Sequence, residues 1–319
     1  MKRNLFIIVM SILAFSLVFV SCDNSPKTAS YKVTVTAGSD YSVSNTVEQG
    51  GSVKLPAASA LTVPEGQYFA WFSDGTDRYA AEEEVTNISS DLTITAVFKT
   101  IYKVGSKGEA GGWIVYDVDA DNADGNDDGA TSLELGWRYL QCAPELAKVT
   151  VDGTEVSQFL FGYSLKIKEV EGGESVSFKM IGTSQLLGTG KENTEKLVAA
   201  FGEETYTSYS DRSKKDKNYM AAVAYKYAYT NPETKVTYSD WFLPSAAETA
   251  VTSSEIMAMY KDESTKSAVS TLIGNGADVE MASSSEAYKT GYFLFDETAD
   301  GLISNERTKK CYVLPVRYI

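Results

Sequence analysis

An α+β protein in two folded parts is the architecture the 319-residue sequence predicts. Three observations carry that prediction. Residues 31–99 alternate apolar and polar side chains between turn residues, with no helical period; apolar strand-like runs stand at both ends of residues 100–319; and three segments of helical spacing lie between those runs.

In the first part, Tyr31, Val33 and Val35 point one way while Lys32, Thr34 and Thr36 point the other, as in a half-buried strand. Gly50-Gly51 predicts a turn before Val53 and Leu55. Phe69 and Trp71, two residues apart, are expected on one face of the next strand; Ser73-Asp74-Gly75 supplies a turn, and Leu92 to Phe98 closes the unit. Trp71 reads as a core residue rather than a platform for a ligand.

In the second part, Gly111 to Asp117 is apolar on both faces, the pattern of a strand covered on both sides. Trp137 to Leu140 and Cys311 to Ile319 read similarly, with Pro315 marking an edge or bulge because it lacks an N–H donor. Helix is expected over Asn193 to Phe201, where Leu197 and Phe201 stack and Gly202 offers a left-handed cap. It is expected again over the alanine- and aromatic-rich stretch Tyr219 to Tyr229. A third helix starts at Ser245, whose pairing with Glu248 forms a capping box, and continues to Ile256, Met257 and Tyr260.

The amino end has a different character. Lys2 and Arg3 precede a largely apolar run, Leu5 to Val20, that is shorter than the roughly 20 residues a spanning helix needs. The run ends Val18-Phe19-Val20-Ser21-Cys22 and resembles a bacterial lipoprotein signal, which implies a leader over residues 1–21 and diacylglycerol on the Cys22 thiol. An uncleaved signal anchor is the alternative. Residues 22–30 are polar and turn-rich, as suits a tether. The expected location is the cell envelope by a lipid anchor, at the outer membrane or cell surface, with the periplasmic face as the other option.

A formal net charge of −14, more negative once Lys2 and Arg3 leave, opposes binding to DNA, RNA or anionic lipid surfaces. A neutral glycan, a protein or a cation fits it better. The chain has no histidine, which excludes Ser-His-Asp and Cys-His catalysis and His-based zinc sites. Apart from Cys22 only Cys142 and Cys311 remain, either as a disulfide or as two buried small hydrophobes.

Several motifs invite chemistry. Gly188-Thr189-Gly190-Lys191 lacks the Ser/Thr and the earlier glycine of a phosphate loop and reads as a turn opening a helix. Asp117, Asp119, Asp121, Asp124, Asp127 and Asp128 crowd one loop. It reads as a solvated polar loop, with weak Ca²⁺ binding by Asp117, Asp119, Asp121 and Asp128 as the alternative. Otherwise no cofactor is expected. Arg212, Lys214, Lys215 and Lys217 form a basic cluster, read as a solvated loop.

The first part resembles the internalin-type B repeat, a small β-grasp-like module of bacterial surface proteins, through Tyr31 to Val35, Val47 to Val53, Pro64 to Phe72 and Ile94 to Phe98. The resemblance implies a stalk or spacer. The second part resembles the C-terminal domain of the Legionella collagen-like adhesin family. The shared landmarks are Val104-Gly105, Ala110 to Gly112, Gly136 to Leu140 with Ala143-Pro144-Glu145, Gly188 to Thr194, Tyr238 to Ser245, Ser283 to Glu286 and Leu314 to Arg317. It departs at Ala282, where the family has Trp, and over Leu146 to Phe178, an inserted β excursion.

That second likeness implies a C-type-lectin-like or formylglycine-generating-enzyme-like α+β fold whose first and last strands pair. Sulfated glycosaminoglycan, the adhesin's ligand, does not suit this chain's charge. Asp240, Trp241, Ser283, Ser284, Ser285, Glu286 and Arg317 carry most of the likeness. They form either a shallow saccharide site or a buried hydrogen-bond framework. The expectation is a noncatalytic surface adhesin or binding protein, presenting its second domain to an extracellular glycan or protein. A structural envelope component that self-associates and a histidine-independent glycosidase are the alternatives.

Overall fold

The computed structural model describes residues 28–123, 131–162, 180–202, 218–273, 280–288, 291–296, 299, 301–307 and 309–319. Seven strands make the first part: β1 (Ser30–Ala37), β2 (Tyr41–Glu48), β3 (Val53–Lys54), β4 (Gln67–Ser73), β5 (Arg78–Tyr79), β6 (Glu84–Val85) and β7 (Leu92–Thr100). Five of them form a sheet in the order β2-β1-β7-β4-β5, antiparallel except for the parallel β1–β7 pair. β3 and β6 form a separate pair. The only helical element described here is one 3-10 turn at Ala58–Ala60.

The alternation read from the sequence is what buries this core. Val33, Val35 and Ala37 from β1 meet Phe72 from β4, Ile94 and Ala96 from β7, Val53 and Val85 from the small pair, and Leu55 just after β3. The expected turn at Ser73-Asp74-Gly75 forms because the Asp74 carboxylate accepts from the N–H groups of Thr76 and Asp77 and from the Tyr79 hydroxyl.

Phe69 and Trp71 do not share a face. A bulge between them shifts the β4–β7 register, pairing Phe69 with Phe98 and Trp71 with Val97. Phe69 therefore turns to the core beside Phe72, ring centroids 4.8 Å apart. Trp71 is buried on the opposite face, flanked by Lys99 and Arg78. That face meets the second part. The Tyr68 ring packs edge-on against Tyr139 and lies under the Arg138 guanidinium.

The second part begins with β8 (Ile114–Asp117), α1 (Val118–Ala123), α2 (Ser132–Leu135) and β9 (Tyr139–Cys142). The short strands β10 (Val149–Val151), β11 (Thr154–Val156) and β12 (Gln158–Leu160) come next. Then follow α3 (Gly190–Phe201), α4 (Met220–Tyr225), the hairpin of β13 (Tyr229–Thr230) and β14 (Thr237–Tyr238), α5 (Ala246–Lys261) and α6 (Lys266–Val269). β15 (Glu280–Tyr288), β16 (Gly291–Asp296), β17 (Gly301–Glu306), β18 (Lys310–Tyr312) and β19 (Val316–Tyr318) end it. Mixed α+β character is thus present, with strands at both ends. The described part of the 146–178 excursion is β10 to β12; residues 163–178 lie outside the described residues.

Two sheets organise these elements, one ordered β19-β9-β8 and the other β12-β18-β15-β16-β17. The first and last strands do not pair directly. β9 lies between them, because its one edge is taken by β8 and its other edge accepts β19 with Arg317 opposite Gln141. Pro315 falls where the chain leaves one sheet for the other: β18 belongs to the larger sheet, β19 to the smaller, and the Val313 and Pro315 carbonyls accept from Ala147 and Ala143 instead of a strand partner.

The capping box at Ser245 and Glu248 is present, and α5 packs its buried Ile256 and Met257 into the core beneath the smaller sheet. α3 begins at Gly190, three residues before the expected start, and Gly202 ends it with φ 92° and ψ 161°, outside the left-handed helical region. α4 stops at Tyr225, short of the expected Tyr229, where the chain turns into β13.

Candidate functional site

Ser283, Ser284, Ser285 and Glu286 stand in succession on β15 and all four are buried. Both faces of this strand are covered, so each side chain needs an internal partner. Ser283 Oγ donates to the Phe293 carbonyl at 2.6 Å and Ser284 Oγ to the Pro244 carbonyl at 3.0 Å. Ser285 Oγ donates to the Ser184 carbonyl at 2.6 Å and accepts from the Ala246 N–H. Asn193, on α3, bridges Ser184 and Ser284 through its side-chain amide. The serine run fastens the starts of α3 and α5 to the larger sheet.

Glu286 continues this framework. Its carboxylate accepts from the N–H groups of Ile181 and Gly182 and pairs with Arg307 at 2.5 Å, both side chains being almost fully buried. Burial pushes its pKa up, but the N–H of Ile181 and the Arg307 guanidinium outweigh that and hold it below the ordinary value.

Glu248 is a second buried carboxylate, absent from the sequence-derived set as a site residue and visible there only as a helix cap. It accepts from Ser245 N at 2.7 Å, Gly188 N at 2.8 Å and the Tyr318 hydroxyl at 2.6 Å. Burial raises its pKa in spite of these donors. The Gly188-Thr189-Gly190-Lys191 motif wraps this carboxylate and opens α3 with Thr189 as N-cap, so its glycines serve a turn and a close approach.

Arg317, Asp240 and Trp241 come together apart from the serines. Arg317 donates from Nε and Nη2 to Asp240 at 3.0 and 2.9 Å, and from Nη1 to Glu109 at 2.7 Å and Gln141 at 3.3 Å. Its guanidinium also lies over the Tyr238 ring. Burial works against the charge, yet the Asp240 and Glu109 carboxylates keep the Arg317 pKa above its ordinary value. Trp241 is buried; its Nε1 donates to the Tyr238 carbonyl, its ring meets Tyr227 in a T-shaped contact, and the Arg317 guanidinium lies over it.

Asp240, with half its side chain exposed, opens onto a cavity of about 360 Å³. Lys191, Thr194 and Glu195 of α3 line one side; Tyr225 and Lys226, at the end of α4, line another, with Ser239, Trp241 and Phe242 below. Tyr225 is 40% exposed and presents aromatic surface at the opening, with the Lys226 ammonium 5.5 Å from its ring centroid. Sequence reasoning found Asp240 and Trp241 here but missed Lys191, Glu195, Tyr225 and Lys226. Lys191 stood in the turn expected to open the first helix and Tyr225 and Lys226 in the aromatic-rich second one, with nothing in the sequence to show that the two meet.

Other sequence-derived candidates are placed elsewhere. Asp117 gives both oxygens to Arg138, at 2.8 and 2.9 Å; Asp119 accepts from Ser132; Asp121 accepts from the Tyr116 hydroxyl at 2.7 Å. The start of the expected loop is the helix α1, and these three carboxylates turn to protein partners rather than to one centre. Among the described residues no group of three or more His, Cys, Asp or Glu is placed to hold a metal. Asp124, Asp127, Asp128 and the basic cluster Arg212, Lys214, Lys215 and Lys217 lie outside the described residues, as do the leader, Cys22 and the start of the tether.

The disulfide alternative is corrected. Cys142 and Cys311 are both free and buried, in separate hydrophobic clusters, and burial pushes each thiol up to about 12. Cys311 Sγ contacts the Tyr292 hydroxyl at 2.8 Å.

No protein-family model and no curated protein matches this chain. Its function is therefore read from the arrangement itself. An aromatic ring beside charged and hydroxyl groups, in an open pocket next to the Arg317–Asp240 hydrogen bonds, suits recognition of a polyhydroxylated or peptide ligand.

Proposed function

We propose that this chain is a noncatalytic, lipid-anchored envelope protein that binds a neutral glycan through the cavity beside Asp240. The observation carrying this reading is the juxtaposition of the exposed Tyr225 ring with Lys191, Thr194, Glu195, Ser239 and Asp240 around one opening. A sugar offers an apolar ring face to an aromatic side chain and hydroxyls to flanking charged groups. The polar framework of Arg317, Glu109 and Gln141 holds Asp240 in place without forming part of the opening.

The resemblance of residues 100–319 to the Legionella collagen-like adhesin C-terminal domain supports a role at a surface, and that of residues 31–99 to the internalin-type B repeat supports a spacer. The leader pattern ending at Cys22 supports anchoring by lipid. Purified protein on a glycan array is expected to retain neutral oligosaccharides, with binding lost on Tyr225→Ala. Absence of retention, or retention unchanged in Tyr225→Ala, refutes the assignment of this cavity. Cys22→Ser is expected to release the protein from the membrane fraction; continued sedimentation with membranes refutes the anchor.

A further inference from the structure

We propose that two copies of this chain join edge to edge through β2. This strand is eight residues long and pairs with β1 in an unbroken register from Ser30↔Glu48 to Ala37↔Tyr41. It ends the five-stranded sheet, so its other side has no strand partner among the described residues. Natural edges are blunted by bulges, prolines, lysines or brevity. The opposite edge of the same sheet follows that rule, since β5 is two residues long and begins with Arg78. β2 has no bulge, no proline and a single charge, Glu48.

The backbone polarity of the edge follows from one hydrogen bond. Gln49 N–H donates to the Ala29 carbonyl at 2.7 Å, continuing the β1–β2 ladder. By the alternation of an antiparallel ladder, Tyr41, Val43, Asn45 and Val47 turn their N–H and C=O groups to β1. Ser42, Ser44, Thr46 and Glu48 turn theirs outward.

Side chains point to the same occupant. Val43 lies opposite Val35, on the core face of the sheet, yet it is 42% exposed because the sheet stops there. A two-fold axis through Asn45 sets Ser44 against Thr46 and Ser42 against Glu48 as hydrogen-bonded pairs, and lays Val43 against Val47. Glu48 then faces a serine rather than a second carboxylate, which matters in a chain of net charge −14. A second copy thus supplies a strand of matching length, whose single carboxylate meets a serine and whose valine covers the exposed one.

Sedimentation of the purified chain tests this, alongside Ser44→Pro and Asn45→Cys variants. Proline at position 44 removes an outward N–H, a substitution an edge strand tolerates but a paired strand does not. The unsubstituted chain is expected to sediment at twice the monomer mass, and Ser44→Pro at the monomer mass with an unchanged far-UV spectrum. Asn45→Cys is expected to form an interchain disulfide on mild oxidation, because non-hydrogen-bonded antiparallel partners bring Cα atoms to about 4.5 Å. Ser39→Cys, in the adjacent turn, serves as the reference. A monomeric unsubstituted chain, a Ser44→Pro dimer, or Asn45→Cys linking no more than Ser39→Cys overturns the proposal. Should Ser44→Pro fail to fold, the Asn45→Cys result decides.

Discussion

The hydroxyl of Tyr318, the penultimate residue, donates to Glu248 Oε1 at 2.6 Å and so ties the carboxyl-terminal strand to the capping box that opens α5. The same carboxylate receives Gly188 from the turn before α3. Three segments far apart in sequence meet on one buried side chain. Tyr318→Phe keeps the ring, which stacks on Trp137 with centroids 4.4 Å apart, and removes only the donor. A loss of about 1–3 kcal/mol is expected in urea unfolding, since a buried carboxylate then lacks one of its partners. An unchanged midpoint would show that the carboxylate does not depend on this hydroxyl.

Glu286 and Arg307 make the opposite electrostatic case. Removing one partner of a buried pair strands the other charge, so Arg307→Met is expected to cost about 3–5 kcal/mol by denaturant titration.

The two carboxylates differ in the sign of their pH dependence. Glu286 has its pKa held below the ordinary value, so it titrates lower in the folded protein than in the unfolded chain. It contributes stability above the unfolded pKa and loses it as pH falls through the folded one. Glu248, raised by burial, contributes most below the unfolded pKa and loses that contribution as pH rises through its folded value. Unfolding free energy measured from about pH 3 to pH 6 is expected to fall less steeply toward acid in Glu286→Gln than in the parent chain. An identical acid limb in the two proteins contradicts this assignment.

Much of the fold was legible because local rules and tertiary burial agree. Val33, Val35 and Ile94 alternate in sequence and lie in the core in structure, and the Ser245–Glu248 spacing forms the cap it encodes. The Phe69–Trp71 reading failed because alternation assumes one residue per pleat, and a bulge, which has no signature in side-chain hydropathy, reverses every residue beyond it. The site was half legible for a similar reason. Ser283 to Glu286 stood out through the likeness to the adhesin domain, but sequence does not show that a strand is covered on both sides. Tyr225 looked like an ordinary helix residue and Lys191 like part of the turn opening one, until the structure brought α3 and α4 together around Asp240.

Gly112 tests a close approach rather than a special dihedral angle. A Cβ there would stand 1.8 Å from the Cys142 carbonyl oxygen, a backbone atom of β9 that cannot swing aside. Gly112→Ala is expected to cost about 3 kcal/mol or more, through separation of β9 from the chain before β8. The thermal midpoint reads this directly. Gly153→Ala, whose added methyl meets nothing within 4 Å, separates the steric cost from the conformational one, because only φ is strained there.

The contact between the two parts of the chain makes the last prediction. Arg138 is held by Asp117 on one side and covers the Tyr68 ring on the other, at 4.6 Å from its centroid, while Tyr139 meets the same ring edge-on. Tyr68 therefore fastens the β4 face to β9, with cation–π and aromatic contributions of about 0.5–2 kcal/mol each. Tyr68 turns away from the core of its own module, so Tyr68→Ala is expected to leave that core folded and to loosen the junction. Ile101, 54% exposed in the connecting segment, marks where the loosening becomes measurable. Limited proteolysis with mass spectrometry is expected to show faster cleavage near Ile101 in Tyr68→Ala, releasing two resistant fragments. Equal cleavage rates would mean that the two parts are held together by contacts other than this ring.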